Sequence, residues 1–200
     1  MTDLAERRGL DTEVYEPAED SRLLAETVLS HLDSPGRVLD VGTGTGYVAA
    51  RILEATDTDV VAADPDTDVV AADLNPHACR RARENGLPAV RADLLAPFRA
   101  GAFDAVTFNP PYLPTDPDEE RDDWLSVALS GGTSGRTVIE RFLADLERVL
   151  APDGEAFLLV STYAGIEEVA AYAGEQGLHS VALADVSYPG ETLTVLKLVP

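Results

Sequence analysis

The chain reads as one α/β domain whose mostly parallel sheet finishes in an antiparallel hairpin, with helices on both faces. Three observations predict it. Strand-like and helix-like segments alternate from residue 37 onward. The first of these strands runs into a glycine-rich turn, Gly42-Thr-Gly-Thr-Gly46. The last two segments alternate apolar with polar residues on either side of Tyr188-Pro-Gly-Glu191, the pattern of a hairpin.

The elements follow in order. Residues 17–32 carry Leu23, Leu24, Val28 and Leu32 at helical spacing. Residues 37–41 are a short buried strand, and a helix is expected near 47–55 after the glycine turn. Thr58–Asp66 and Thr67–Asn75 form a near-exact nine-residue tandem repeat. Two copies are too few for a solenoid, so one copy is expected to supply the second strand while the other loops out or lies at an edge. A helix over 76–85, with Arg80, Arg81 and Arg83 outward, stops at Gly86. Strands are expected at 88–92, 103–108 and 155–162, and helices at 136–150, closed by Pro152-Asp-Gly154, and at 164–176, stopped by Gly177. Residues 179–187 and 192–199 are the hairpin strands. Leu113–Gly132 is long, acidic and poor in periodicity; such loops act as lids or binding loops, or are disordered.

Composition narrows the function. Two hundred residues suit a single domain spanning 1–200, with 1–35 as an N-terminal helical segment. No apolar stretch approaches the ~18 residues of a membrane span. The N-terminus has no apolar signal-peptide core, so the expected location is the cytoplasm. The single cysteine, Cys79, excludes an internal disulfide and a multi-cysteine zinc site and reads as a packing residue. His31, His77 and His179 fall in different elements and read as surface or packing residues, so no metal site is expected. Thirty-six acidic residues face fifteen basic ones, and the only lysine is Lys197. A net charge of −21 opposes direct binding to a nucleic-acid backbone. A lysine-poor acidic surface also fits a halophilic origin, where a Debye length of about 3 Å at 1 M salt screens self-repulsion.

The candidate site gathers at the carboxyl ends of the strands. Asp40 precedes Gly42, Thr43, Gly44 and Gly46, a turn that lets backbone approach a ligand; its G-x-G-x-G spacing does not imply a pyrophosphate. An acid closing the next strand can accept both ribose hydroxyls. Asp64 lies at the usual separation of about 20 residues. Asp73, with its neighbour Leu74, runs straight into the helix at Pro76 and is the preferred candidate. Asp93 and the backbone of Leu94 can read an adenine rim as acceptor and donor. Asn109-Pro110-Pro111-Tyr112 ends the strand 103–108. Two prolines remove two donors and fix two φ angles, leaving a rigid elbow. The Asn109 side-chain oxygen and the Pro110 carbonyl are acceptors that together suit the two hydrogens of a planar NH2 group. Trp124 either contacts substrate or plugs the acidic loop. Asp116, Asp118, Glu119, Glu120, Asp122 and Asp123 read as a solvated face.

The order of DVGTGTG, an acid after strand two, Asp93 after strand three and NPPY after strand four resembles class I S-adenosylmethionine-dependent methyltransferases. Val14-Tyr-Glu-Pro-Ala-Glu-Asp-Ser21, and Gly131-Gly132 through Gly135-Arg136 followed by Val138-Ile-Glu-Arg-Phe142, resemble the HemK-like branch that modifies class 1 translation release factors in archaea and eukaryotes. The resemblance implies a Rossmann-like seven-stranded fold and S-adenosyl-L-methionine as cofactor. Tyr15, Glu16 and Pro17 would cover it from the N-terminal side. It implies N5-methylation of the glutamine amide in a Gly-Gly-Gln tripeptide, with Asn109, Pro110, Pro111 and Tyr112 holding the acceptor. It also implies a small zinc-binding activator subunit on the sheet edge near strand three, forming a heterodimer. NPPY also serves exocyclic amines of adenine or guanine, so a nucleobase methyltransferase is the alternative; a non-catalytic ligand-binding subunit is a third reading that the intact Asn109 opposes.

The charge makes its own prediction. The thermal midpoint should rise by several degrees between dilute buffer and molar potassium chloride, because screening relieves self-repulsion. A midpoint that falls or stays constant contradicts the halophilic reading.

Overall fold

A computed structural model describes residues 13–32, 35–56, 67–116, 118 and 123–200. Its elements run α1 (Glu19–His31), β1 (Arg37–Val41), α2 (Tyr47–Thr56), β2 (Asp68–Asp73), α3 (Pro76–Glu84), β3 (Ala89–Arg91), β4 (Phe103–Phe108), α4 (Trp124–Leu129), α5 (Thr137–Val149), β5 (Leu150–Ser161), α6 (Ile166–Glu175), β6 (His179–Tyr188) and β7 (Glu191–Val199). The seven strands form one sheet in the order β3-β2-β1-β4-β5-β7-β6. Neighbours from β3 to β5 are parallel, and β7 runs antiparallel to both β5 and β6. Parallel neighbours cannot be joined by a tight turn, so crossover helices cover both faces. Among the described residues no helix is long and apolar enough to cross a membrane.

Because both faces are covered, alternate residues of β1 feed opposite cores. Leu39 and Val41 pack with Phe108, Phe142, Leu143 and Leu146 on the α5 side. Val38 packs with Leu24, Val28, Ile52, Phe157 and Leu159 on the α1–α2 side. Each such fully buried side chain contributes on the order of 1.5–3 kcal/mol. The outer strand β3 is held by Arg83 of α3, which donates two hydrogen bonds to the Ala89 carbonyl at 2.9 and 2.7 Å. Cys79, buried in the same helix, donates its thiol to the Asp73 and Val90 carbonyls, in keeping with a packing role.

The second copy of the tandem repeat supplies β2, which pairs with β1 from Asp68 to Ala72. The whole of the first copy, Asp64 included, lies outside the described residues. Elsewhere the structure corrects the sequence reading in four places. The first helix starts at Glu19, because Ala18 is extended (φ −120°, ψ −163°); Pro17 therefore precedes the helix instead of opening it. The last helix starts at Ile166, after Gly165 at φ +79°. Strand β5 already pairs at Leu150, and Pro152-Asp-Gly154 forms an irregularity inside the ladder to β4 where a terminator was expected. The acidic loop contains α4, capped by Asp123, whose carboxylate accepts from the Ser126 amide at 2.7 Å. A parallel bridge between Leu113 and Ser130 closes that loop.

Candidate active site

The ladders bring three strand ends to one level. Val41 stands opposite both Ala72 and Phe108, so the next residues, Gly42, Asp73 and Asn109, lie side by side at the carboxyl edge of the sheet. Asp73 in turn stands opposite Arg91, which brings Asp93 to the same edge. The chain reverses its winding direction between β1 and β4, the place where open α/β sheets bind ligands.

The glycine turn lies tightly on this edge. Gly42 has φ +61°, and a Cβ there would sit 3.1 Å from the Phe108 ring, so glycine is required. Asp40 braces the turn from below: one carboxylate oxygen accepts from the Thr43 hydroxyl at 2.6 Å, the other from Thr107 at 2.8 Å. Gly46 serves packing instead, since any side chain there would strike Leu87 and Ala82. It does not line the cavity.

Above the strand ends is a cavity of about 330 Å³. Of the residues singled out in the sequence, Tyr15, Pro17, Asp40, Gly42, Thr43, Gly44, Asp73, Leu74, Asp93, Leu94, Asn109, Pro110, Pro111 and Tyr112 all line it. Glu16 does not; it faces Arg81 at 3.9 Å on the outside of the segment. Asp73 has one oxygen on the Gly44 amide (2.9 Å) and the other on the Asn75 amide (2.8 Å). Burial raises its pKa above the usual carboxylate value, and these backbone donors oppose the rise. Leu94 is the one non-glycine residue with positive φ (+49°) among those described. That costs on the order of 1 kcal/mol and turns its backbone beside the cavity. Asp93 accepts from Arg141 at 2.8 Å at the rim.

Several contributors were not identified as site residues in the sequence. Asn75 caps α3 through the His77 amide and donates to the Glu13 carbonyl at 2.5 Å. His77 also meets Glu13 at 3.0 Å, and the Trp124 ring lies edge-on to it. Trp124, which the sequence offered as either a substrate contact or a plug, lines the cavity, so α4 is packed over the site. The Asn-Pro pair ahead of a helix was a readable cap signal. Asp20 and Ser21, both buried, come from α1 and line the same cavity. Tyr15 donates its hydroxyl to Asp20 at 3.2 Å.

At the other end stands the proline elbow. Oδ1 of Asn109 is buried and has no hydrogen-bond partner among the described residues. Tyr112 stays a neutral phenol: burial first, then the charges of Asp20 and Glu191, push its pKa above the usual tyrosine value. The glycine loop 131–135 supports this elbow from behind, and a Cβ on Gly135 would lie 2.6 Å from the Tyr112 carbonyl.

The cavity has the glycine turn with Asp73 and Asp93 at one end and the buried amide oxygen of Asn109 at the other, on a 3-2-1-4-5-7-6 sheet. It defines a class I S-adenosylmethionine-dependent methyltransferase. The family model described as the methyltransferase small domain matches residues 17–121, and the chain belongs to that family, in its HemK-like branch. It is 33% identical to a putative protein N5-glutamine methyltransferase of Methanocaldococcus jannaschii, over 94% of this chain and 92% of that protein. It is 31% identical to the human methyltransferase HEMK2, over 95% of this chain and 91% of that one. Among solved structures it resembles the E. cuniculi Mtq2–Trm112 complex, responsible for methylation of the eRF1 translation termination factor. That match has a TM-score of 0.73 and 33% identity, covering 93% of this chain and 98% of the other.

Asp40 provides a pH test of the brace. Burial pushes its carboxyl up to about 6; the Thr43 and Thr107 hydroxyls pull it down, and the nearby Asp73 adds to the rise. A folded pKa above the unfolded one means stability is fullest below about pH 4 and is lost as pH rises through about 6. Between these limits the wild type should lose on the order of 3 kcal/mol more unfolding free energy than Asp40→Asn. Denaturant melts at pH 4 and 7 measure the difference; a pH-independent gap contradicts it.

Proposed function

We propose that this chain methylates the side-chain amide nitrogen of a glutamine, the Gln of the Gly-Gly-Gln tripeptide in a class 1 release factor. The observation that carries the proposal is the buried, unpartnered Oδ1 of Asn109. A buried acceptor left unpaired costs about 1–3 kcal/mol, and a substrate N–H relieves that cost. The M. jannaschii relative, a putative protein N5-glutamine methyltransferase, and the E. cuniculi complex, responsible for methylation of a translation termination factor, support this substrate class.

The residues present fit S-adenosylmethionine. Asp73 is available to the ribose hydroxyls, Asp93 and the Leu94 backbone to the adenine rim, and the glycine turn offers close backbone. When bound, the cofactor supplies an electrophilic methyl group carried on a sulfonium. The protein's own task is orientation. An amide nitrogen is a poor nucleophile because its lone pair is delocalised into the carbonyl. Asn109 Oδ1 and the Pro110 carbonyl take its two N–H groups, and Tyr112 packs on the amide plane. With both hydrogens held, the lone pair direction is set in advance. The proton lost from the nitrogen as the N–C bond forms passes to solvent water, so no dedicated base of shifted pKa is needed.

The fuller reading adds a small zinc-binding activator subunit on the β3 edge and a cytoplasmic, halophilic setting. In support, β3 is an outer strand only three residues long, with its own Val90 at 40% exposure and Leu74 beside it at 42%. The E. cuniculi relative is itself found in complex with Trm112.

The test is transfer of labelled methyl, in high salt and with the candidate activator present, to release factor or to nucleic acid. Label on the tripeptide glutamine is expected. Label only on adenine or guanine sinks the reading and favours the nucleobase alternative.

A further inference from the structure

An acceptor amide works only if it faces the right way. The oxygen and NH2 of Asn109 are nearly the same size, so a half-turn about χ2 would aim two donors at the substrate's own NH2 group. The half-turned side chain would then repel the amine it is meant to hold. Something must hold the oxygen towards the cavity.

We infer that Asp20 and Ser21 fix the orientation of the Asn109 amide, acting as positioning residues for the transfer. The inference rests on the reading of Asn109 as acceptor given above. The Asp20 carboxylate accepts only. One of its oxygens takes the Ser21 amide at 2.6 Å and the Ser21 hydroxyl at 3.2 Å. Its other oxygen takes the Tyr15 hydroxyl at 3.2 Å. With its single proton committed to Asp20, Ser21 Oγ presents lone pairs to Asn109 and can only accept there. The group it receives is Nδ2 of Asn109, at 3.4 Å. The amide is thereby polarised along one direction: NH2 towards α1, Oδ1 into the cavity. Asp20 and Ser21 are 5% and 7% exposed, so water does not readily substitute for either. The Tyr-Glu-Pro-Ala-Glu-Asp-Ser stretch thus acts on the acceptor as well as on the cofactor side, joining α1 to the end of β4.

Two measurements on the full chain test this. The first needs no substrate. In isotope-labelled protein, a side-chain amide proton of Asn109 should show a nuclear Overhauser effect to the Ser21 β protons. The effect should weaken in Asp20→Asn, whose amide can donate to Ser21 and reverse the chain of donors. The second is methyl transfer to release factor. Ser21→Ala should lower kcat by about tenfold, the worth of one lost hydrogen bond, with KM and cofactor affinity within about twofold. Ser21→Thr, which keeps the hydroxyl, should recover most of the rate. The inference is overturned if the wild-type Overhauser effect is absent, if Ser21→Ala keeps its kcat, if cofactor affinity falls as far as kcat, or if Ser21→Thr fails to rescue. Asn109→Ala assayed alongside separates the two levels. An active Asn109→Ala removes the reading of Asn109 itself; an inactive one beside a fully active Ser21→Ala removes only the positioning role.

Discussion

The structure depends on one constraint: the register that brings the carboxyl ends of β1, β2 and β4 together. Parallel ladders with Val41 opposite Ala72 and Phe108 release Gly42, Asp73 and Asn109 as neighbours. A one-residue slip would reverse the faces of every side chain in a strand whose two faces are both buried, so the cores enforce the register strongly. The site inherits this rigidity. Asp40, below the turn, ties β1 to β4 through Thr107, so the brace and the ladder act on the same pair of strands.

The cations show how so acidic a chain holds its loops. Arg37 donates to the Ala102 carbonyl, Arg83 to Ala89, Arg91 to Leu74, Arg136 to Ala164, and Arg148 to Phe98 and Leu95. All but Arg83, whose acceptor lies in β3, fasten a carbonyl in a connecting segment. The planar guanidinium, with several fixed donors, suits this task better than an ammonium. Arginine is here a tether for loops, which accords with its dominance over lysine in the sequence.

Much of this was legible in the sequence because it is local. A strand, a glycine turn and a helix follow one another within 37–56, and the NPPY elbow declares itself through two prolines. The second repeat copy, which runs into the helix at Pro76, does form β2, ending at Asp73. The rest was hidden for physical reasons. Ser21 reaches Asn109 across 88 residues and Arg141 reaches Asp93 across 48, separations over which no local pattern operates. Helix α4 is only six residues long, too short to establish a period within an acidic loop. Gly46 and Asp40 belong to the same glycine motif but are placed differently: Asp40 lines the cavity and Gly46 does not. Gly46 packs against α3 and its following loop, whereas Asp40 lies beneath the turn and accepts from the Thr43 and Thr107 hydroxyls.

The central claim is that Asn109 acts on the acceptor and not on the cofactor. Cofactor titration and single-turnover transfer, made on the same Asn109→Ala sample, test it most directly. Affinity should stay within about threefold while the rate falls by about 10²–10³, the effect of removing one preorganised polar contact from an active site. A proportionate collapse of cofactor affinity, or a rate that survives, would contradict the account.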